Sequence, residues 1–308
     1  CSKTNKSAAI YIYDPRIIEN ENFSSLHLDF INDSLSELSD NFKKYNAHLN
    51  IYYGESFKVL KKIIDIYNIQ NIYSHHEVRD LNTHRINWEI ESLCKSYCVK
   101  WHQFQRNGVV KGLKNRDGWS YLWSKQMKES LAPIPNLSHF EKLENSEGIK
   151  NFYELGIAQI PYEKKFPGGE QVGKLQLEKF LNESGQTYAK DISSPLKAPA
   201  SCSRLSSYIT YGNLSIKYIV KKTQQKQMEL REKKTRDGWL GSLSAFSSRL
   251  RWHCHFIQKL EMQPSLENTN MVQSFDKIRT KPNKDFLNRW GNGEVGFPMV
   301  DACMRFLK

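Results

Sequence analysis

Apolar positions in the first third of the chain follow two rhythms in turn. Residues 8–13, 49–53 and 69–73 are short runs rich in Ile and Tyr, and 100–105 carries Trp101 and Phe104; all four predict strands. Between them, Phe57, Leu60, Ile64 and Tyr67, and then Ile86, Ile90, Leu93 and Tyr97, recur at spacings of three and four and predict amphipathic helices, starting at Gly54 and Thr83. Strands separated by helices mean βαβ units and a mostly parallel, Rossmann-like sheet with helices on both faces.

Residues 107–172 break both rhythms and hold four of the ten prolines, so they read as an interdomain linker. Beyond residue 173 only helical stripes remain. Leu175, Leu177, Phe180 and Leu181 form one; Leu205, Tyr208 and Ile209, then Ile216, Ile219 and Val220, form others; Phe246, Leu250, His253, Phe256, Ile257 and Leu260 form the longest. The division expected is an α/β domain over 1–106, a linker over 107–172 and an all-α domain over 173–308. Two echoes, Lys114-Asn-Arg-Asp-Gly-Trp119 and Lys234-Thr-Arg-Asp-Gly-Trp239, predict similar basic turns leading into helices. At the far end, Gly291, Gly293 and Gly296 allow close backbone approach, and Pro298 suits a first helical turn. Val300, Cys303, Met304 and Leu307 then share one face, which predicts a buried helix.

A length of 308 residues is about two domains. No apolar run reaches the ~18 residues of a membrane span and the first residues lack a signal-peptide pattern, so a soluble cytoplasmic protein with no membrane partner is expected. The net charge of +12 favours a polyanionic partner, although a run such as 221–234 is equally what a solvated helix face looks like. Six cysteines, at 1, 94, 98, 202, 254 and 303, show neither paired CxxC spacing nor the density of a disulfide scaffold. His253-Cys254-His255 lies within a helical pattern that points these neighbours apart, so no metal site is expected.

Two segments could carry chemistry. Residues 201–207, Ser-Cys-Ser-Arg-Leu-Ser-Ser, cluster hydroxyls and a guanidinium at a helix start, which suits a phosphate as well as ordinary N-capping by Ser203 or Ser206. Residues 246–256 interleave Arg249, Trp252, His253 and Phe256, a pattern that stacks bases and holds phosphates or simply builds a core.

In order along the chain stand Gly168-Gly-Glu170, Leu177 with Phe180-Leu181, Tyr188, Ser203-Arg-Leu-Ser206, Arg249-Leu-Arg-Trp252, Trp290 and Gly296-Phe-Pro-Met-Val-Asp-Ala-Cys-Met-Arg305. This succession resembles the photolyase/cryptochrome family, with the last segment its most specific part. The resemblance implies an antenna-type α/β domain and an all-α domain that holds noncovalent FAD. It places Tyr188 and Cys202, Ser203, Arg204, Leu205 and Ser206 against the flavin phosphates and ribityl chain, and Phe246 and Arg249 in the flavin pocket. It puts Trp252 where repair enzymes stack an aromatic on a flipped pyrimidine dimer, as the catalytic contact, with Arg251 and His253 beside the DNA.

The function so implied is that of a deoxyribodipyrimidine photolyase, a carbon–carbon lyase that uses light and reduced FAD to split UV-induced pyrimidine dimers in DNA. The alternatives are a blue-light receptor signalling through a protein partner and a basic nucleic-acid-binding protein without cofactor. An antenna chromophore cannot be assigned. Arg249 stands where repairing relatives often carry a carboxylate, His253 replaces a common arginine, and Phe275 lies near the outermost electron-relay tryptophan. Relatives also begin with a strand ahead of residue 8 and continue past residue 308. The chain therefore reads as incomplete at both ends, inactive alone and weak in holding FAD.

Overall fold

The computed structural model describes residues 6–160, 166–234, 236–278 and 281–308. The N-terminal region runs β1 (Ala9–Tyr13), α1 (Pro15–Ile18), α2 (Ser25–Lys43), β2 (Leu49–Tyr53), α3 (Ser56–Tyr67), β3 (Asn71–His75), α4 (Leu81–Ser96) and β4 (Lys100–Phe104). Asp80 caps α4 by accepting the Thr83 amide at 2.7 Å, so the helix starts at Leu81, two residues ahead of where periodicity alone puts it.

The four described strands pair with one another in parallel, in two pairs rather than one ladder, and Ile51 of β2 also bridges Glu147 in antiparallel fashion. β1 pairs with β2, setting Tyr11 opposite Ile51, and β3 pairs with β4, setting Ile72 opposite Trp101. Helix α3 ties the pairs together: Ile63 packs in a cluster with Tyr52, Ile10 and Ile12, whereas its neighbour Ile64 packs with Ile72, Ile86 and Trp101. Adjacent β-branched residues on one helix thus close two small cores.

The second region is helical: α5 (Trp119–Lys128), α6 (Glu170–Asn182), α7 (Tyr188–Asp191), α8 (Ala198–Ser201), α9 (Ser206–Thr210), α10 (Ile216–Glu232), α11 (Trp239–Met262), α12 (Lys284–Asn292) and α13 (Pro298–Leu307). Its core joins Leu177, Phe180, Leu205, Tyr208, Ile219 and Leu243. Leu175 departs from its expected stripe and is exposed. The stretch expected to be irregular contains α5, and its Trp119, Trp123 and Met127 enter this core. The two basic echoes behave alike. Gly118 and Gly238 are left-handed N-caps, with φ of 71° and 92°, and Trp119 and Trp239 follow as buried first helical residues.

At the C-terminal end the start at Pro298 is as expected, but the burial is not. Val300, Cys303 and Leu307 are exposed, and Asp301 is the buried residue of α13. The Asp301 carboxylate accepts the Val295 and Gly296 amides, both at 2.9 Å, and Arg305 donates to the Gly293 carbonyl at 2.6 Å. Polar closure of the glycine turn therefore orients this helix, and no other described element beyond α12 packs closely on its apolar face.

Candidate functional site

Helix α11 organises the site. Leu243, Phe246, Leu250, Cys254 and Gln258 form its buried face, and Arg249, Arg251, Trp252 and Phe256 stay exposed. The helix is fixed from behind by the chain just after β4. Gln258 accepts the Val110 amide at 2.7 Å and donates to the Val110 carbonyl at 2.9 Å, and the Gly108 amide donates to Cys254 Sγ at 3.3 Å.

Beside this face, three aromatic rings meet. Phe246 lies 4.6 Å from Phe180 and 5.9 Å from Tyr188 between centroids, and Phe180 and Tyr188 meet edge-on at 5.5 Å. Burial, and secondarily the Cys202 thiol, push the Tyr188 phenol above its usual pKa, while Arg249 pulls it down. Tyr188, Cys202, Phe246 and Arg249 therefore share one neighbourhood. The Arg249 guanidinium lies 5.3 Å from the Trp252 ring, a cation–π pair at the surface.

From Cys202 the chain leads directly into the serine segment. Ser203 offers its carbonyl to Gln176 Nε2 at 3.0 Å. Arg204 adopts a left-handed backbone, φ 54°, and its guanidinium turns to the Pro199 carbonyl at 3.3 Å and the Phe166 ring. Leu205 is buried in the core and is the N-cap of α9, so neither Ser203 nor Ser206 caps this helix through its side chain. Ser206 is exposed as the first residue of α9, and the Ser206, Ser207 and Tyr208 amides have no backbone acceptor among the described residues.

The DNA-facing candidates divide between two flanks of α11. Arg251 follows Arg249 by two residues, a rotation of about 200° on a helix, and its guanidinium covers the Trp123 ring of α5 at 5.3 Å. Trp252 is half exposed between them. His253 is half-buried on the Arg249 side, and burial followed by Arg106 holds its pKa below the ordinary value. Arg106 itself spans the two regions, pairing with Glu77 and bonding the Thr210 carbonyl at the end of α9. The His253 and Arg251 side chains thus face different surroundings.

Sequence reasoning gave no functional role to the residues on the α5 side. Trp119, Trp123 and Arg116 lie in a stretch read as linker; the repeated Arg-Asp-Gly-Trp turn predicted a helix there, but not that it packs against α11. A crevice of about 530 Å³ between the two regions was also not foreseen. Tyr11, Asp14, Arg79, Arg106, Tyr211 and His253 are among its lining residues.

Comparison with known proteins bears on this geometry. Residues 1–118 match the family model for DNA photolyase, ending at the Gly118 cap of α5, and residues 246–308 match the FAD binding domain of DNA photolyase, beginning at Phe246. The deoxyribodipyrimidine photo-lyase of Halobacterium salinarum is 22% identical over 98% of this chain and 63% of its own length. The enzyme of the same name from Escherichia coli is 25% identical over 60% of this chain and 38% of its own. The chain thus spans less than two thirds of these relatives. Among solved structures, a Synechocystis cryptochrome superposes with a TM-score of 0.76 at 19% identity, covering 98% of this chain and 65% of that one. A Sulfolobus tokodaii photolyase, described with two FAD molecules, gives 0.73 at 20% identity, covering 99% and 65%.

Proposed function

Because the chain belongs to the photolyase/cryptochrome family, we propose that it is part of a deoxyribodipyrimidine photolyase, holding FAD beside α11 and presenting UV-damaged DNA to it. The observation that carries this reading is the shared neighbourhood of Tyr188, Cys202, Phe246 and Arg249, which joins apolar rings to a cation. The residues fit the cofactor: rings for its planar system, a guanidinium for its charge, and the open amides of Ser206 to Tyr208 for oxygen atoms of its phosphates or ribityl chain. The reading assigns Tyr188, Cys202, Ser203, Arg204, Leu205, Ser206, Phe246 and Arg249 to the flavin. Trp252 is assigned to the lesion, and Arg251 and His253 to the adjacent DNA.

When bound, FAD supplies light absorption and the single-electron reduction that opening a cyclobutane dimer requires. The chain's own residues bind and exclude water. Phe180, Tyr188 and Phe246 form a dry wall, and Trp252 offers an exposed indole on which an extruded pyrimidine dimer can stack. Arg251 neutralises phosphate. On this reading residues 1–106 form an antenna-type domain, 107–172 connect it, and 173–308 belong to the flavin-binding domain of a cytoplasmic protein. No helix among the described residues is long and apolar enough to cross a membrane.

Arg249 favours one second reading. A guanidinium cannot accept a hydrogen bond from a lesion, as a carboxylate would, and this suits a light receptor of the same fold that signals through a protein partner.

The test is a titration of the chain with FAD, followed by flavin fluorescence. Saturable quenching that weakens at least tenfold in Arg249→Ala supports the cofactor site, and quenching that never saturates removes it. Light-dependent loss of thymine dimers by the full-length protein then supports repair, and its absence in a flavin-loaded protein favours the receptor.

A further inference from the structure

The side of α11 turned away from Tyr188 carries a feature of which the reading above uses only Arg251 and Trp252. Between α5 and α11 lies a hollow of about 450 Å³ lined by Trp119, Arg251, Trp252, His255, Phe256 and Lys259. Its walls are aromatic. Trp119 meets His255 at 5.6 Å, His255 meets Phe256 at 5.7 Å, and Trp252 meets Phe256 at 5.9 Å, all with rings steeply inclined.

Its rim is cationic. Lys259 Nζ lies 5.8 Å from the Phe256 centroid, Arg251 covers Trp123, and Arg116 Nη1 donates to His255 Nε2 at 3.0 Å. His255 accepts that bond as a neutral ring, in keeping with a pKa lowered by burial, then by Arg116 and Lys259. Among the described residues, no carboxylate lines the hollow. Further lysines stand on the adjoining helices, Lys125 and Lys128 in the last turn of α5 and Lys221 of α10, whose Nζ reaches the Lys128 carbonyl at 3.4 Å.

Phe256 and Trp252 are 54% and 50% exposed, too much for residues whose purpose is packing. An apolar protein segment could cover the rings, but it would leave Arg116, Arg251 and Lys259 without counter-charge. A nucleic-acid strand satisfies both. We propose that this hollow receives an unpaired base of single-stranded DNA, stacked on Phe256, with the flanking phosphates on Arg251 and Lys259. The inference rests on the reading of this chain as a DNA-binding protein, but concerns a surface separate from the flavin neighbourhood. It would hold the strand opened beside an extruded lesion.

The test is titration of the chain with a short fluorescein-labelled oligothymidylate, read by anisotropy, in parallel with the FAD titration on the same preparations. Stacking of one base on one aromatic ring is worth about 1–3 kcal/mol, so Phe256→Ala should weaken oligothymidylate binding roughly tenfold. Lys259→Ala should reduce the slope of log affinity against log salt by about 1. Phe256 is exposed and Lys259 partly so, and thermal melts close to the wild type and unchanged FAD titrations are expected of each. Oligothymidylate affinity within twofold of wild type in a folded Phe256→Ala overturns the proposal. So does a loss caused by Arg249→Ala alone. If FAD does not bind the wild-type chain but Phe256→Ala still weakens the oligonucleotide, the cofactor reading fails and this one stands.

Discussion

The carboxylate of Asp33, on α2, accepts a hydrogen bond from the amide of Gly168 at 2.9 Å, joining the α/β region to the approach of α6. One turn further on, Glu37 accepts the Gln171 amide at 3.2 Å. Two acidic side chains of one domain thereby satisfy amides around the N-terminus of a helix in the other, where a negative charge is also favoured by the helix dipole. Phe30 of α2 completes the contact, with its ring 5.3 Å from Tyr208 and 5.2 Å from Tyr211.

Gly168 is required by this contact. A Cβ there would come within 2.1 Å of the Phe30 carbonyl oxygen, which belongs to a helix backbone and cannot turn aside. Gly168→Ala should cost about 1–3 kcal/mol through backbone displacement, read as a lower urea midpoint. Asp33→Ala should cost about 1 kcal/mol as a lost cap, and a midpoint equal to wild type in both variants would show that α2 and α6 unfold independently.

Asp14 predicts an acid limb in the stability curve. Burial by itself raises its pKa, but bonds from Arg16 at 2.9 and 3.1 Å and from the Ser56 amide at 2.8 Å outweigh this and hold the carboxyl below its ordinary value. The stabilisation is complete above the unfolded pKa, about 3.9, and is lost as pH falls through the lower folded one. Asp14→Asn should destabilise the chain at neutral pH by roughly 2–3 kcal/mol, by leaving Arg16 partly unpaired, and should flatten the acid limb. A limb of unchanged steepness in the variant refutes the assignment.

Histidines add a second, milder dependence. His27, His76, His253 and His255 all have pKa values lowered, chiefly by burial. Below about pH 6.5 the unfolded chain takes up these protons before the folded one does, so stability should decline from there as pH falls. Urea titrations at several pH values should show the decline beginning well above the carboxylate range, and His253→Gln should reduce it.

Gln258 is the strongest tie between α11 and the strand ends. Its side chain satisfies both the amide and the carbonyl of Val110. Gln258→Leu keeps the volume but leaves two backbone groups unpaired, at a cost of about 2–4 kcal/mol. Increased amide exchange at Val110 and a lower melting temperature are expected, whereas unaltered exchange at Val110 counts against this tie.

How much could be read along the chain follows from the range of the interactions involved. The strands near 9–13, 49–53, 71–75 and 100–104, the helices between them and the stop-and-start at Gly293 and Pro298 were legible, because alternation, helical spacing and backbone freedom act within a few residues. The two Asp-Gly-Trp turns belong with them, since Gly118 and Gly238 supply a left-handed cap that few other residues accept. The order of motifs also sufficed to identify the family.

Only the tertiary structure decided which chemistry converges. It brought Tyr188, Cys202, Phe246 and Arg249 together from three segments, put Arg251 and Arg249 on opposite flanks, and folded the supposed linker into α5 against α11. It also left Val300 and Leu307 of α13 exposed, although their spacing reads as a buried stripe. Periodicity states that a helix has an apolar face; what covers that face depends on residues far away in the chain, and local pattern carries no record of them.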